Sequence, residues 1–227
     1  MADKVKVGVC LSGCGVFDGS EIHEAVITLL ALDRAGAEWR CMAPDTTFEV
    51  VDHRTQKPTG ERRSVLAESA RIARGDIVDV ARVRAKDIDA LIFPGGFGAA
   101  KNLCNFAEAG PKAKAQQDVA RLVRDMLAAQ KPIGAICIAP GLLAAILRDA
   151  GVKAKLTIGD ERETATAIEA MGCTHERCPV DDFVVDEQHK IVSTPAYMLA
   201  GGIAEAASGI ERLVAEVLRL VPQKARV

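Results

Sequence analysis

A cysteine at the end of an apolar run is the most chemically informative feature of this sequence. Residues 131–141 read KPIGAICIAPG, so the run at 133–136 leads directly into Cys137, and residues 142–147 are apolar and helical in character. The pattern predicts a strand, a sharp turn and a helix, with a thiol at the turn. The amides that open such a helix can lower a thiol pKa and stabilise an oxyanion, which indicates a cysteine-dependent enzyme. A structural thiol buried at a strand end is the alternative interpretation.

A carboxyl group near the start of the chain, Glu24, is the candidate partner of this thiol. It lies in the segment 22–32, which is apolar on almost every side and is therefore predicted to be a buried helix. A covered Glu24 would favour its neutral form and could donate a hydrogen bond or move a proton. The residues alone give slightly more support to a solvent-facing glutamate stabilised by the helix dipole. Glu21 is predicted to reach back to an N-cap at Asp18.

Two glycines, Gly95 and Gly96, follow a short apolar strand predicted at 90–93. Because glycine amides are unobstructed, this pair and the amide of Ile138 could form an oxyanion hole and bind substrate. A tight turn between strand and loop is an equally good interpretation of the two glycines. The sequence has neither a G-x-G-x-x-G nor a G-x-x-x-x-G-K-[ST] motif, so no NAD, ATP or other cofactor is expected.

The remaining polar candidates are given no catalytic role. None of the four histidines adjoins Cys137 in the sequence. His189 lies in a charged turn and is expected to be solvated, as are the aspartates at 181, 182 and 186. The seven cysteines are odd in number and scattered, with no C-x-x-C pair, which argues against a disulfide scaffold. No set of ligands stands at zinc spacing, so no metal site is expected.

Composition argues against several classes of partner and location. The 227 residues carry a net charge of −2 and only 4% aromatic residues, which is not typical of nucleic-acid or anionic-membrane binding. No apolar stretch reaches the ~18 residues that a membrane span needs. Residues 1–4 lead directly into a strand pattern without the features of a signal peptide. A cytoplasmic location is therefore expected.

Strand-like and helix-like segments alternate along the chain, as in a mostly parallel sheet covered by helices on both faces. Ligands in such sheets bind beyond the carboxyl ends of the strands, where the cysteine and the glycine pair are both predicted to lie. No linker or repeat divides the sequence, so a single domain over residues 1–227 is expected. Strands are predicted at 5–11, 38–43, 48–52, 90–93, 133–136, 183–185 and 190–194, with hairpins after 48–52 and around 186–189, and helices at 21–35, 62–73, 113–129, 142–147, 161–171 and 203–220.

Several long and unusual strings in the sequence resemble those of the ElbB proteins, a family named for enhancing lycopene biosynthesis. ElbB proteins form a PfpI-like branch of the class I glutamine-amidotransferase superfamily, and the resemblance extends over almost the full chain. It is carried by residues 11–24 (LSGCGVFDGSEIHE), 93–103 (FPGGFGAAKNL), 137–140 (CIAP), 178–182 (CPVDD) and 193–200 (STPAYMLA).

The resemblance implies a flavodoxin-like three-layer α/β sandwich, a homodimer and a small dicarbonyl substrate. It places the family's elbow cysteine on Cys137, its paired glutamate on Glu24 and its oxyanion amides on the Gly95–Gly96 turn. The implied activity is glyoxalase III-like, turning glyoxal and water into glycolate without glutathione, metal or cofactor, or a protein deglycase that uses the same chemistry. Many members carry histidine directly after the nucleophile, where this chain has Ile138. That departure suggests slow turnover and argues against amidotransferase or peptidase activity.

Two other functions stay open at this point. Cys137 could be a redox sensor that oxidises to a sulfinic acid stabilised by protonated Glu24. The chain could also be a non-catalytic accessory protein of isoprenoid metabolism, in which the pocket is vestigial.

Overall fold

A seven-stranded, mostly parallel sheet forms the centre of the protein, in a computed structural model that describes residues 4–222. Strands of the central sheet are β1 Lys6–Cys10, β2 Glu38–Ala43, β5 Ile77–Asp79, β6 Ala90–Phe93, β7 Ile133–Ile136, β10 Val184–Asp186 and β11 Ile191–Thr194. The strand order is β10-β11-β7-β6-β1-β2-β5, and only β10 is antiparallel to its neighbour. Outside this sheet, β3 Thr47–Asp52 pairs with β4 Lys57–Ser64, and β8 Lys155–Leu156 pairs with β9 Thr174–His175.

Helices cover both faces of the sheet and complete the expected three-layer, flavodoxin-like sandwich. The helices are α1 Ile22–Arg34, α2 Val65–Ile72, α3 Phe97–Lys101, α4 Phe106–Ala109, α5 Gln117–Ala128, α6 Ala139–Asp149, α7 Arg162–Ala170 and α8 Ile203–Leu220; four single 3₁₀ turns span Val80–Arg82, Ala85–Asp87, Gly110–Lys112 and Ala196–Met198. One apolar core lies between the sheet and the helices α1, α2 and α8, and the other lies between the sheet and α3 to α7.

Successive side chains of the central strands pack alternately into the two cores. In β6, Leu91 and Phe93 point into the core of α3 to α7, whereas Ala90 and Ile92 point into the core of α1, α2 and α8. All four residues are fully buried. Coverage on both faces explains why this strand is apolar throughout instead of alternating with polar residues.

Most of the predicted elements are present, and the differences lie at their ends. The strands predicted at 38–43, 90–93 and 133–136 and the helix at 203–220 are confirmed residue for residue, and both hairpins exist. The amphipathic segment 62–73 becomes helical only at Val65, because β4 continues to Ser64, whose hydroxyl then caps α2. The edge strand β5 was missed, since three half-buried residues are too short to show a period.

The prediction that Asp186 and His189 are solvated is wrong. The Asp186 carboxylate is buried and accepts hydrogen bonds from the amides of Lys155 and His189, both at 2.8 Å. The His189 ring also lies against it, with Nδ1 2.9 Å from Oδ1. Asp186 therefore ties β10 to β8 and closes the late hairpin, whereas Asp181 is exposed as expected.

No helix between residues 4 and 222 is both long enough and apolar enough to cross a bilayer.

Every buried side-chain nitrogen or oxygen in the same range has a hydrogen-bond partner.

Replacing the buried aspartate tests its structural role. We expect Asp186→Ala to lower the free energy of unfolding by about 2–4 kcal/mol, because two backbone amides and a histidine ring lose their acceptor. Urea denaturation followed by circular dichroism measures this change. The control is Asp181→Ala, on the exposed loop, which we expect to stay within about 0.5 kcal/mol of wild type. Equal effects of the two substitutions would contradict the assignment.

Candidate active site

The candidate site lies at the carboxyl edge of the sheet, where the loops that leave β1, β6 and β7 meet. Cys137 is the residue immediately after β7, and the Gly95–Gly96 turn follows β6 after one proline. Because neighbouring parallel strands end at the same edge, the fold brings together segments that are about forty residues apart in sequence.

Cys137 occupies the strained corner predicted for it, with a backbone φ of +60°. Such a conformation costs free energy for a residue other than glycine and persists only where its surroundings hold it. Here the Cys137 amide donates to the carbonyl of Thr194 at 2.9 Å, and helix α6 begins two residues later with Pro140 in its first turn. Proline is suited to that turn because its missing amide would have no helical partner.

Glu24 is fully buried, so the solvent-facing interpretation of this residue is wrong. Its Oε2 accepts the amide of Gly95 at 2.9 Å, and its Oε1 accepts the amide of Tyr197 at 3.3 Å. The turn after β6 and the 3₁₀ turn after β11 therefore cover the face of α1 that carries Glu24. Two backbone donors hold the carboxyl group in one orientation.

The start of α1 differs from the predicted capping arrangement. Glu21, and not Asp18, is the N-cap, and its Oε2 accepts the amide of Glu24 at 2.7 Å. The carboxylate of Asp18 accepts the amide of Val51 at 2.8 Å and so connects the loop after β1 to the β3–β4 hairpin. Asp18 lies outside the helix because it belongs to a separate turn of the loop after β1, in which the amide of Gly19 donates to the carbonyl of Gly15 at 2.7 Å.

Gly95 lies between the cysteine and the glutamate. A Cβ atom on Gly95 would stand 2.5 Å from the Cβ of Cys137 and 2.7 Å from Oε2 of Glu24, both far too close. Only glycine lets the two side chains approach each other. The structure therefore brings Cys137 and Glu24 together, and glycine is required at this turn for a steric reason.

The expectation that Gly95 contributes an oxyanion amide does not fit the geometry. Its amide is already donated to Glu24, and so it positions the carboxyl group instead. Gly96 and Ile138 remain as donors, since both of their amides are directed at the sulfur of Cys137. Gly96 has a φ of +89°, and a Cβ there would collide with the backbone of Gly19 and Glu21.

Backbone hydrogen bonds join the loop after β1 to the loop after β6. The amide of Glu21 donates to Gly95, the amide of Phe97 to Val16 and the amide of Gly98 to Gly19, at 2.7–3.0 Å. The side-chain amide of Asn102 adds bonds to the carbonyls of Ser12 and Asp18. These bonds fix the position of α1, and therefore of Glu24, relative to the turn that carries Gly96.

Burial raises the pKa of Glu24 from 4.5 to about 8, with the nearby charge of Glu21 as a second cause. The hydrogen bonds from Tyr197, Cys137 and Gly95 act in the opposite direction but do not outweigh burial. At neutral pH the carboxyl group therefore holds its proton in a large fraction of molecules. A group with its pKa this close to neutrality is suited to taking up and returning a proton.

The expectation that the helix amides lower the pKa of Cys137 is wrong for the resting protein. Cys137 is only 8% exposed, and burial raises its pKa well above 9.0, with the charge of Glu24 as the second cause. The amides of Gly96 and Ile138 favour the thiolate but are the smaller influence. The sulfur is therefore a thiol at rest, and it needs a base to become a nucleophile.

Sequence reasoning missed Tyr197 and His23, which support the glutamate. The amide of Tyr197 donates to Glu24, and its hydroxyl lies 2.8 Å from Nδ1 of His23. His23 is also 3.6 Å from the cap residue Glu21. Ala196, with a φ of +44°, sets the direction of this segment. The string at 193–200 was part of the family resemblance, but nothing in its composition indicated a contact with α1.

The other histidines lie in structural contacts. His53 lies between the carbonyl of Val51 and the amide of Phe17, and Nε2 of His175 accepts the amide of Ile158. Within residues 4–222, no group of three or more histidine, cysteine, aspartate and glutamate side chains is placed to hold a metal ion.

Comparison with known proteins gives a consistent family relationship. Residues 14–159 match the model of the DJ-1/PfpI family. The human glutamine amidotransferase-like class 1 domain-containing protein 3, mitochondrial, is 46% identical over 95% of this chain and 83% of its own length. The ES1 protein homolog, mitochondrial, of Rattus norvegicus is 44% identical over 96% of this chain and 84% of its own length.

A solved structure with a close overall match comes from Ehrlichia chaffeensis. It is described as an isoprenoid biosynthesis protein with an amidotransferase-like domain. It superposes with a TM-score of 0.90 at 37% identity, covering 96% of this chain and all of the other.

The prediction of a cytoplasmic location is contradicted by these relatives, since both the human and the rat protein are named as mitochondrial. The prediction rested on composition and on residues 1–4, of which the first three lie outside the described residues. Cellular location is encoded in short targeting segments that play no part in the fold, so the core and the surface charge do not determine it.

The raised pKa of Glu24 predicts a specific pH dependence of stability. The folded protein holds this proton with a pKa of about 8, against 4.5 for an ordinary glutamate. Wild type therefore loses stability as the pH rises through this window, whereas a glutamine does not titrate. We expect the free energy of unfolding of Glu24→Gln, relative to wild type, to increase by on the order of 3–5 kcal/mol between about pH 5 and pH 9.

Urea denaturation at a series of pH values measures that difference. Glu49→Gln, at an exposed position of β3, is the matched control and should differ from wild type by the same amount at every pH. A difference for Glu24→Gln that is flat across the window would contradict the proton assignment.

Proposed function

The chain belongs to the DJ-1/PfpI family, and from that premise we propose that it is a cofactor-free glyoxalase of the ElbB type. The proposed reaction converts glyoxal and water into glycolate. The observation that carries it is the buried pair of Cys137 and Glu24, with two backbone amides directed at the sulfur. The isoprenoid biosynthesis protein of Ehrlichia chaffeensis, which has the same fold, supports the placement in the ElbB branch.

In the first step, the thiol of Cys137 adds to one carbonyl carbon of the dialdehyde. Because the thiol pKa is raised, its proton leaves as the C–S bond forms, and the ionised form of Glu24 accepts it. The carbonyl oxygen becomes an oxyanion between the amides of Gly96 and Ile138. Return of the proton to that oxygen gives a hemithioacetal and restores the carboxylate.

In the second step, the hemithioacetal rearranges to a thioester. The carboxylate of Glu24 removes the hydrogen from the carbon bonded to sulfur and delivers it to the oxygen of the second carbon, which gives an enediol. It then takes the hydroxyl proton of the first carbon and delivers it to the second carbon, so that a C=O bond replaces the C=C bond. Water then attacks the thioester, releasing glycolate and the thiol. The sum is one glyoxal and one water for one glycolic acid, with no external oxidant or reductant. A carboxyl group with a pKa near neutrality can perform every proton transfer in this sequence.

Ile138 explains why the reaction would be slow. Its backbone amide can stabilise an oxyanion, but its side chain cannot accept or donate a proton. Glu24 must therefore perform every proton transfer. For the same reason the site lacks the cysteine–histidine pair that amidotransferases and cysteine peptidases use. A deglycase activity, which removes early glycation adducts from proteins, would use the same residues in the same order.

The redox-sensor alternative has less support from the site. Oxidation by peroxide proceeds through the thiolate, and the raised pKa of Cys137 keeps the sulfur protonated at rest. An accessory role in isoprenoid metabolism would not explain why Cys137 and Glu24 are held close together across Gly95.

Substitution of the pair tests the proposal directly. We expect Cys137→Ala to reduce glyoxal consumption to background, because it removes the nucleophile. We expect Glu24→Gln to reduce kcat/KM by about 10²–10⁴-fold, because it removes the base. Glycolate production followed by chromatography is the measurement, with circular dichroism to confirm folding. Cys14→Ala, which removes another partly accessible thiol, should retain wild-type activity. Wild-type activity in Cys137→Ala would overturn the mechanism.

We also propose that the protein forms a homodimer through α1. Ile22, Val26 and Leu30 are 42%, 48% and 41% exposed and follow one another at intervals of four residues, so they form one apolar stripe on the helix. The homodimer implied by the ElbB resemblance would bury this stripe against its symmetry copy.

Light scattering coupled to size-exclusion chromatography tests the dimer. We expect wild type to run with twice the mass of one chain and Val26→Glu to shift towards the monomer by about tenfold or more in dissociation constant. Glu49→Lys, a charge change away from α1, should leave the mass unchanged. A monomeric wild type at the highest concentration measured would contradict the proposal.

A further inference from the structure

A cleft of about 470 Å³ begins beside the nucleophile and is not used by the reaction proposed above. It lies between α3, α4, α7 and the elbow after β7. Most of its lining residues are apolar, although polar groups supply nearly half of its surface, and two carboxylates, Glu108 and Glu163, lie exposed at its edge. The main apolar lining residues are Phe97, Ala100, Phe106, Ala107, Ile138 and Ala167.

The backbone connects this cleft to the reacting sulfur at two points. Ile138 directs its amide at Cys137 and lines the cleft. Gly96 directs its amide at the same sulfur, and the next residue, Phe97, lines the same cleft. A carbonyl oxygen held between these two amides therefore lies next to residues that line the cleft.

The size and chemistry of the cleft do not match glyoxal, a dialdehyde of two carbons. Clefts of about 300–1,000 Å³ hold ligands many times larger than that. Glyoxal also has no apolar group that could contact Phe97 or Ile138. The amides that open α7 do not offer a site for an anion, because the carboxylate of Glu161 already accepts those of Glu163 and Thr164.

From this arrangement we propose that the cleft is a substituent subsite, and that the preferred substrates are 2-oxoaldehydes bearing an apolar group of several carbons. This inference rests on the glyoxalase function proposed above. The sulfur adds to the aldehyde carbon, the oxyanion lies between the two amides, and the substituent on the ketone carbon extends past Ile138. The product is the corresponding 2-hydroxy acid, formed from one substrate and one water. Ile138 thus has a positive role, since it provides an apolar contact where the substituent leaves the reacting carbons.

A substrate series provides the kinetic test. The oxoaldehydes carry hydrogen, methyl, butyl or phenyl on the ketone carbon, and kcat/KM is measured for each. Burying an added methylene in the cleft should raise kcat/KM about three- to fourfold, so the butyl compound should exceed methylglyoxal by about tenfold or more. Ala167→Phe, which fills the cleft from α7, should reduce this ratio towards one. Ala170→Phe, on the exposed end of the same helix and away from the cleft, should leave the ratio unchanged.

An alkylation test is independent of turnover. Iodoacetamide and its N-butyl and N-benzyl derivatives are reacted with the wild-type protein, and labelling at each cysteine is followed by peptide mass spectrometry. The rate at Cys137 should rise with the size of the apolar group, after correction for the reactivity of each reagent towards glutathione. Cys14, a half-buried thiol away from the cleft, is the internal control and should show no such rise.

The two tests separate the subsite from the proposed function. A preference for long substituents in both assays that disappears in Ala167→Phe would establish the subsite. Turnover that depends on Cys137 with no preference in either assay would overturn the subsite and leave the glyoxalase function standing. A preference in labelling without turnover of any oxoaldehyde would retain the subsite and overturn the glyoxalase function. Absence of both would overturn both.

Discussion

A buried carboxyl group held by two backbone amides beside a thiol is the interaction on which the site depends. Water does not stabilise the charge of Glu24, so its pKa moves to about 8, and the proton becomes available for chemistry near neutrality. The same burial raises the pKa of the Cys137 thiol, and the charge of Glu24 raises it further, so the titrations of the two groups are linked. The amides of Gly95 and Tyr197 hold the carboxyl group in one place, which a functional pair of this kind requires.

The rest of the fold serves to hold this pair. Neighbouring parallel strands end at one edge of the sheet, and hydrogen bonds between the loops after β1 and β6 fix their relative positions. Gly95 and Gly96 are needed because any side chain there would occupy the space of the pair or of the adjoining loop. The backbone strain at Cys137 is maintained by the same packing, as is common where a fold presents a reactive group.

Ile138, the residue after Cys137, has two consequences for the proposed reaction. Ile138 retains the backbone amide that an oxyanion needs but has no side-chain proton to transfer. In the proposed mechanism, Glu24 therefore performs every proton transfer, and Ile138 contributes an apolar residue to the adjoining cleft. If the proposal holds, this one residue affects both the rate and the kind of substrate that fits.

The sequence by itself determined most of the longer strands and helices, the elbow at Cys137 and the turn at Gly95–Gly96, because local periodicity and turn chemistry depend on neighbouring residues. Short elements such as β5 have no such period and were not predicted. It could not determine whether Glu24 is covered, which amide holds it or how the thiol titrates. Those properties depend on Gly95 and Tyr197, which lie 71 and 173 positions away from Glu24. Burial and pKa are set by what packs against a group from distant parts of the chain, and only the tertiary structure brings those parts together.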